Sequence, residues 1–133
     1  MASTFKFELV SPERLVLSAQ AVQVDVPGTE GRFGILAGHA PYMSTVNPGV
    51  LAITQDGGTV AKYFVRGGFA DANGAGLTIL AEKALPLAEF KEEVYASELR
   101  HAESEVAQAR SEDAKAAAEL KVSQVKALHA LVV

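Results

Sequence analysis

The chain has 133 residues, room for one ordinary domain or for a small domain with an appendage. Apolar residues make up 49% and charged residues 21%, a globular balance that excludes a disordered chain, and no apolar run approaches the roughly 20 residues that span a bilayer. A net charge of −4 supplies no basic stripe for nucleic acid, and the absence of cysteine excludes disulfides, thiolate catalysis and cysteine-bound metal.

The opening MASTFKFELV enters strand-like alternation at once, so no signal or transit peptide is expected ahead of it. Phe5, Phe7 and Leu9 point one way, Lys6 and Glu8 the other, the period-two pattern of a strand with one face in a core. Val22, Val24 and Val26 repeat it against Gln23 and Asp25. The next segment, VPGTEGRFGILAGHAP from Val26 to Pro41, sets four glycines and two prolines around a short apolar run. It cannot be a helix interior, and it predicts two tight surface turns flanking a brief strand, Arg32 to Leu36. Irregular surface backbone of this kind is where contact residues tend to sit.

Further strands are predicted at Val50 to Thr54, Thr59 to Val65 and Leu77 to Ala81, with turn signals between them. Asp56-Gly57-Gly58 suits a hairpin turn, because these residues tolerate positive φ. Arg66-Gly67-Gly68-Phe69 reads as a bulge or tight turn. All 11 glycines lie at or before Gly76 and all 5 prolines at or before Pro86, so an architectural boundary is predicted at residues 84–88.

Beyond it, Tyr95, Leu99, Ala102, Val106 and Ala109 recur at helical spacing, and Ala114, Ala118, Val122 and Val125 make a similar stripe. Ser111-Glu112-Asp113 is the turn and helix-start signal between them. An alanine seam removes little apolar area, at about 25 cal/mol per Å2, so this hairpin is expected to be marginal alone. The predicted architecture is α+β: an N-terminal antiparallel β-sandwich over residues 1–86, then a C-terminal antiparallel two-helix hairpin over 87–133.

Candidate chemistry is sparse. GTEGRFG, Gly28 to Gly34, has the glycines of a phosphate loop but runs into the β-like Phe33 to Leu36 instead of a helix, and carries no Gly-Lys-Ser/Thr. A turn presenting Glu30 and Arg32 to a partner fits it better. His39 has no neighbouring nucleophile, orienting carboxylate or second ligand, which leaves a backbone-bonded turn histidine or a protein contact. His101 and His129 fall on different helices. Glu89, Glu92 and Glu93 sit where a helix begins and negative charge is favoured. No catalytic residue, cofactor site or metal site is expected.

Four blocks of the chain carry a family resemblance: FELVSPERLVLSAQAVQVDVPGTEG, FGILAGHAPYMSTVNPGVL, VRGGFADANGAGLTILAEKA and a helical tail. In order and spacing, and above all in VPG-x-EG-x-FG-x-L-x-GHAP, the chain resembles the epsilon subunit of bacterial F-type ATP synthase, homologous to the mitochondrial delta subunit. The resemblance implies a non-catalytic rotor subunit of the central stalk, coupling proton-driven rotation of the c-ring to ATP synthesis. Its implied partners are the gamma subunit, the c-ring and, through the C-terminal helices, the alpha/beta catalytic head, with regulation of ATP hydrolysis by the hairpin. Its implied place is peripheral, on the cytoplasmic face of the bacterial inner membrane, held there through the complex. Carried over by position, Thr29, Glu30, Gly31 and Arg32 are the implied c-ring contact, and Gly38, His39, Ala40, Pro41 and Tyr42 the implied gamma contact. The residue after Glu-Gly is often acidic in the family and is Arg32 here. Some members bind ATP through an Ile/Leu-Asp-x-x-Arg-Ala run and arginines in the second helix. This chain has Leu87-Ala88-Glu89-Phe90-Lys91-Glu92 and no arginine after Arg110, so no cofactor is expected. From the residues alone two other readings stand: a β-sandwich binding module with a helical dimerisation arm, and an acid/base enzyme using His39 and Glu30.

Overall fold

The computed structural model of the protein describes residues 3–29 and 31–132, which divide into two compact units between Leu87 and Ala88. Among its described residues the first unit holds nine strands: β1 Phe5–Val10, β2 Leu15–Gly28, β3 Gly31–Leu36, β4 Tyr42–Val46, β5 Gly49–Gln55, β6 Val60–Val65, β7 Gly68–Asn73, β8 Gly76–Ala81 and β9 Ala84–Pro86. A turn of 3-10 helix, Leu87–Glu89, follows.

The 14-residue β2 organises the sandwich. Its first half pairs with β1, Leu9 opposite Leu17 and Phe5 opposite Ala21. Its second half pairs with β3 on one side and β5 on the other, so that Val24 lies between Ile35 and Ile53. The register shifts between Ala21 and Gln23, a bulge at Val22 where the strand passes from one layer into the other. One layer is therefore β2 (first half), β1, β8, β7 and β4; the other is β3, β2 (second half), β5, β6 and β9. Gly28 paired with Val46 joins the layers again at the far corner.

The predicted alternation supplies the core. Phe7, Leu9, Val24, Val26, Leu51, Ile53, Leu77 and Ile79, contributed by both layers, are at most 1% exposed and pack as one cluster. Each large apolar side chain so buried contributes about 1.5–3 kcal/mol. The expectation of purely antiparallel pairing needs one correction: β1 runs parallel to β8, Phe7 opposite Leu77. The chain from β2 to β7 separates these strands, so no tight turn dictates an antiparallel return. At Asp56-Gly57-Gly58 the predicted hairpin turn joins β5 to β6, with φ of +96° and +91° at the two glycines.

The second unit is a helical pair, α1 Glu92–Gln108 and α2 Glu112–Val132. Ser111 Oγ accepts the Ala114 N–H at 3.0 Å and so caps α2, as its position in the sequence predicts. Ala102, Ala118, Val125 and Leu128 are buried, with Val106 and Val122 half-buried. Ala114, expected in the seam, is exposed because it lies in the first turn of α2, before the helix is covered. Polar ties cross between the helices: Lys121 Nζ donates to Glu105 Oε2 at 3.3 Å, and His129 Nε2 lies 2.8 Å from Glu92 Oε1. The His129 ring also stacks on Tyr95, with centroids 3.7 Å apart and planes at 18°.

Candidate functional site

The two segments singled out in the sequence lie at opposite ends of β3, whose six residues span about 17 Å at ~3.3 Å per residue. At one end is the β2–β3 turn. Thr29 is exposed, and its Oγ1 lies 2.9 Å from Thr45 Oγ1 while its N–H donates to the Thr45 carbonyl at 3.3 Å. Asn47 adds two bonds to the same corner, its N–H to the Pro27 carbonyl at 2.7 Å and its Nδ2 to the Gly28 carbonyl at 3.2 Å. Arg32 is exposed yet oriented, donating through Nη2 to the Val50 carbonyl at 2.9 Å. Gly31 takes φ +118°, the conformation the glycine signal predicts. Glu30 lies outside the described residues. The turn is thus a polar, outward-facing tip whose backbone is tied down on both sides.

At the other end, Gly38, His39, Ala40, Pro41 and Tyr42 are all exposed. Gly38 has φ +77°, and the His39 N–H donates to the Leu36 carbonyl at 3.1 Å, closing the turn. His39 Nδ1 donates to the Ala40 carbonyl at 2.6 Å, so the ring is fixed by backbone, as one of its two sequence readings has it. Tyr42 meets Phe33 edge-on at 5.1 Å and His39 at 6.2 Å, an aromatic group that braces the turn against β3. A cleft of about 550 Å3 adjoins this turn, with Lys6, Gln20, Leu36, His39 and Asn73 on its walls. Among the described residues no three His, Asp or Glu side chains group as metal ligands.

Sequence reasoning missed an apolar row on the outer face of one layer. Leu15 pairs with Val10, Val10 with Leu80, Leu80 with Phe69 and Phe69 with Thr45, one residue from each of five neighbouring strands. Directly paired residues share a face, so these side chains form a continuous line that ends at the Thr29–Thr45 pair. Leu15 and Leu80 are each about half exposed, and Met43, one row along, is 61% exposed. The signal was available: Leu80 and Met43 are large apolar residues at outward positions of alternating strands, where polar ones are usual. An apolar row joined to a polar tip is the composition of a partner-binding face.

The family described as ATP synthase, Delta/Epsilon chain, beta-sandwich domain, matches residues 4–87. An ATP synthase epsilon chain of Parvibaculum lavamentivorans is 44% identical, over 96% of this chain and 97% of its own. One from a Bradyrhizobium species is 48% identical, over 78% of this chain and 76% of its own. Among solved structures, a chain of the Euglena gracilis mitochondrial ATP synthase, determined with OSCP, F1 and the c-ring, superposes with a TM-score of 0.75 at 26% identity, covering 100% of this chain and 84% of its own. A β-sandwich, a helical pair after it in the chain and a relative matched over 97% of its length lead to one assignment: the chain belongs to the ATP synthase delta/epsilon family.

Proposed function

We propose that this chain is a non-catalytic rotor subunit in the central stalk of an ATP synthase, coupling rotation of the c-ring to ATP synthesis. The observation that carries the reading is that every described residue of both contact segments faces solvent on a hydrogen-bonded sheet, in a chain matched by epsilon chains over nearly its full length. A subunit transmitting torque needs contact points that do not yield: the first turn is bonded to Thr45 of β4, and the second is closed on itself by the two His39 bonds.

The tip Thr29–Arg32 is the c-ring contact in this reading. Its oriented guanidinium suits an acidic or carbonyl-rich loop, because a planar donor fork pairs best with oxygen acceptors. Gly38–Tyr42 is the gamma contact, extended by the apolar row from Phe69 to Leu15. The helical pair faces the alpha/beta head. No described helix is long and apolar enough to cross a membrane, and the chain is held at the cytoplasmic face through the complex.

Capture of the tagged full chain from detergent-solubilised membranes tests this. We expect gamma, alpha, beta and c subunits to be recovered together. Tyr42→Ala with Met43→Ser should lose gamma, and Arg32→Glu should loosen the c-ring while gamma stays. Consistent absence of all four subunits from the wild-type capture refutes the rotor reading.

A further inference from the structure

We propose that Asn73–Gly74, at the tip of the β7–β8 hairpin, is a self-modification site at which the folded turn promotes conversion of Asn73 to aspartate and isoaspartate. Asn73 pairs with Gly76, so Gly74 and Ala75 form the turn, and Asn73, Gly74 and Ala75 are all exposed. Asn73 Oδ1 accepts the Ala75 N–H at 2.8 Å, which also fixes which end of the side-chain amide is oxygen. Asn73 Nδ2 lies 3.5 Å from Asp71 Oδ1. Among the described residues no hydrogen bond engages the Gly74 N–H, and a Cβ at Gly74 would meet nothing within 4 Å. The carbonyl is thus polarised, the leaving nitrogen faces a carboxylate and the nucleophile is unengaged.

The chemistry needs only these groups and water. The Gly74 nitrogen, giving its proton to a solvent base, attacks Cγ of Asn73 and forms an N–C bond in a five-membered ring. Negative charge develops on Oδ1, where the Ala75 N–H already points, as a donor in an oxyanion hole does. The Cγ–Nδ2 bond then breaks. The nitrogen takes a proton from water and leaves as ammonia, its gathering positive charge favoured by the Asp71 carboxylate beside it. Water opens the resulting succinimide at either carbonyl. Cleavage of the new bond gives aspartate; cleavage of the original main-chain bond gives isoaspartate, with the chain running through Cβ and Cγ. One water enters and one ammonia leaves, with nothing oxidised or reduced.

Glycine at 74 matters because a side chain there would crowd the attacking nitrogen. The chain also carries its own control: its other asparagine, Asn47, precedes Pro48, whose nitrogen has no proton to lose and cannot close the ring. Either product adds a negative charge to the wall of the cleft that Lys6 and His39 also line, and isoaspartate lengthens the turn by one main-chain carbon. The inference does not rest on the rotor reading.

Peptide mapping of the purified full chain, aged for days in neutral buffer, tests it. The peptide containing Asn73 should gain one mass unit, with isoaspartate at that position, while the peptide containing Asn47 stays unchanged. Conversion should run about threefold faster in the folded chain than in a capped peptide of residues 71–76, the contribution of one net hydrogen bond. Gly74→Ala, which the open space around Gly74 admits, should slow it about tenfold. A chain that stays unmodified, or that converts no faster than the peptide, overturns the proposal. So does a Gly74→Ala rate equal to that of the unaltered chain, which would mean hydrolysis without ring closure.

Discussion

Gly68 begins β7 at φ +148°, and an alanine there would drive its Cβ into the carbonyl oxygen of Leu80 and to 2.9 Å from the Ala81 Cα. Two costs arise together. Holding an L-residue in a region reserved for glycine costs about 1–3 kcal/mol. Crowding the β7–β8 ladder, where Gly68 faces Ala81, costs about another 1–3 kcal/mol, because the obstructing atoms are backbone and cannot rotate away. The expected loss is about 4 kcal/mol, a large part of a typical total of ~5–15 kcal/mol. Gly58→Ala is the control: its φ is +91° but nothing lies within 4 Å of the added Cβ, so only the conformational cost of about 1–2 kcal/mol applies. Urea denaturation followed by circular dichroism separates the two. At a slope of about 2 kcal/mol per M, the midpoint should drop by about 2 M for Gly68→Ala and about 0.5–1 M for Gly58→Ala. Equal drops would refute the claim that β7 and β8 approach too closely for a side chain.

A chain ending at Leu87 should keep its β signal in circular dichroism and still join the complex, since the sandwich core draws only on strand residues; an aggregated product would contradict this. Ser111→Ala removes the cap of α2 and should cost about 1 kcal/mol, read as earlier melting of helical signal with the β signal unchanged. Leu80→Glu, on the outer apolar row, should leave stability within about 0.5 kcal/mol yet reduce recovery of gamma in the capture experiment. A variant that binds gamma normally would exclude that row from the interface.

The inward residues of β1, β2 and β8 could be read from the chain because alternation and burial coincide there: Phe7, Leu9, Val24 and Ile79 are both patterned and enclosed. The parallel pairing of β1 with β8 and the crossing of β2 between layers could not, because pairing between strands distant in the chain leaves no local mark. The helices were legible as helices and largely in their facing: of the two predicted stripes only Ala114 is exposed. α2 carries apolar residues on its exposed side as well, with Leu120 54% and Leu131 83% exposed, so its periodicity alone does not single out the buried stripe and misplaced Ala114. Glu98, 2% exposed, carried no sequence signal of burial, since glutamate is ordinary in a helix. At the site, glycine and proline spacing located both turns, whereas the bracing of Tyr42 by Phe33 depends on how the intervening turn folds.

The fourteen residues of β2 have a mechanical meaning. A sandwich whose halves met only through interdigitated side chains could slip, methyl past methyl, under a twisting load. Here one continuous backbone is laced into both halves, and Gly28 with Val46 fastens them a second time, so sliding requires rupture of peptide bonding ladders. A load applied at the Thr29 tip reaches the His39 end with little creep, and the body turns as a block rather than shearing into leaves.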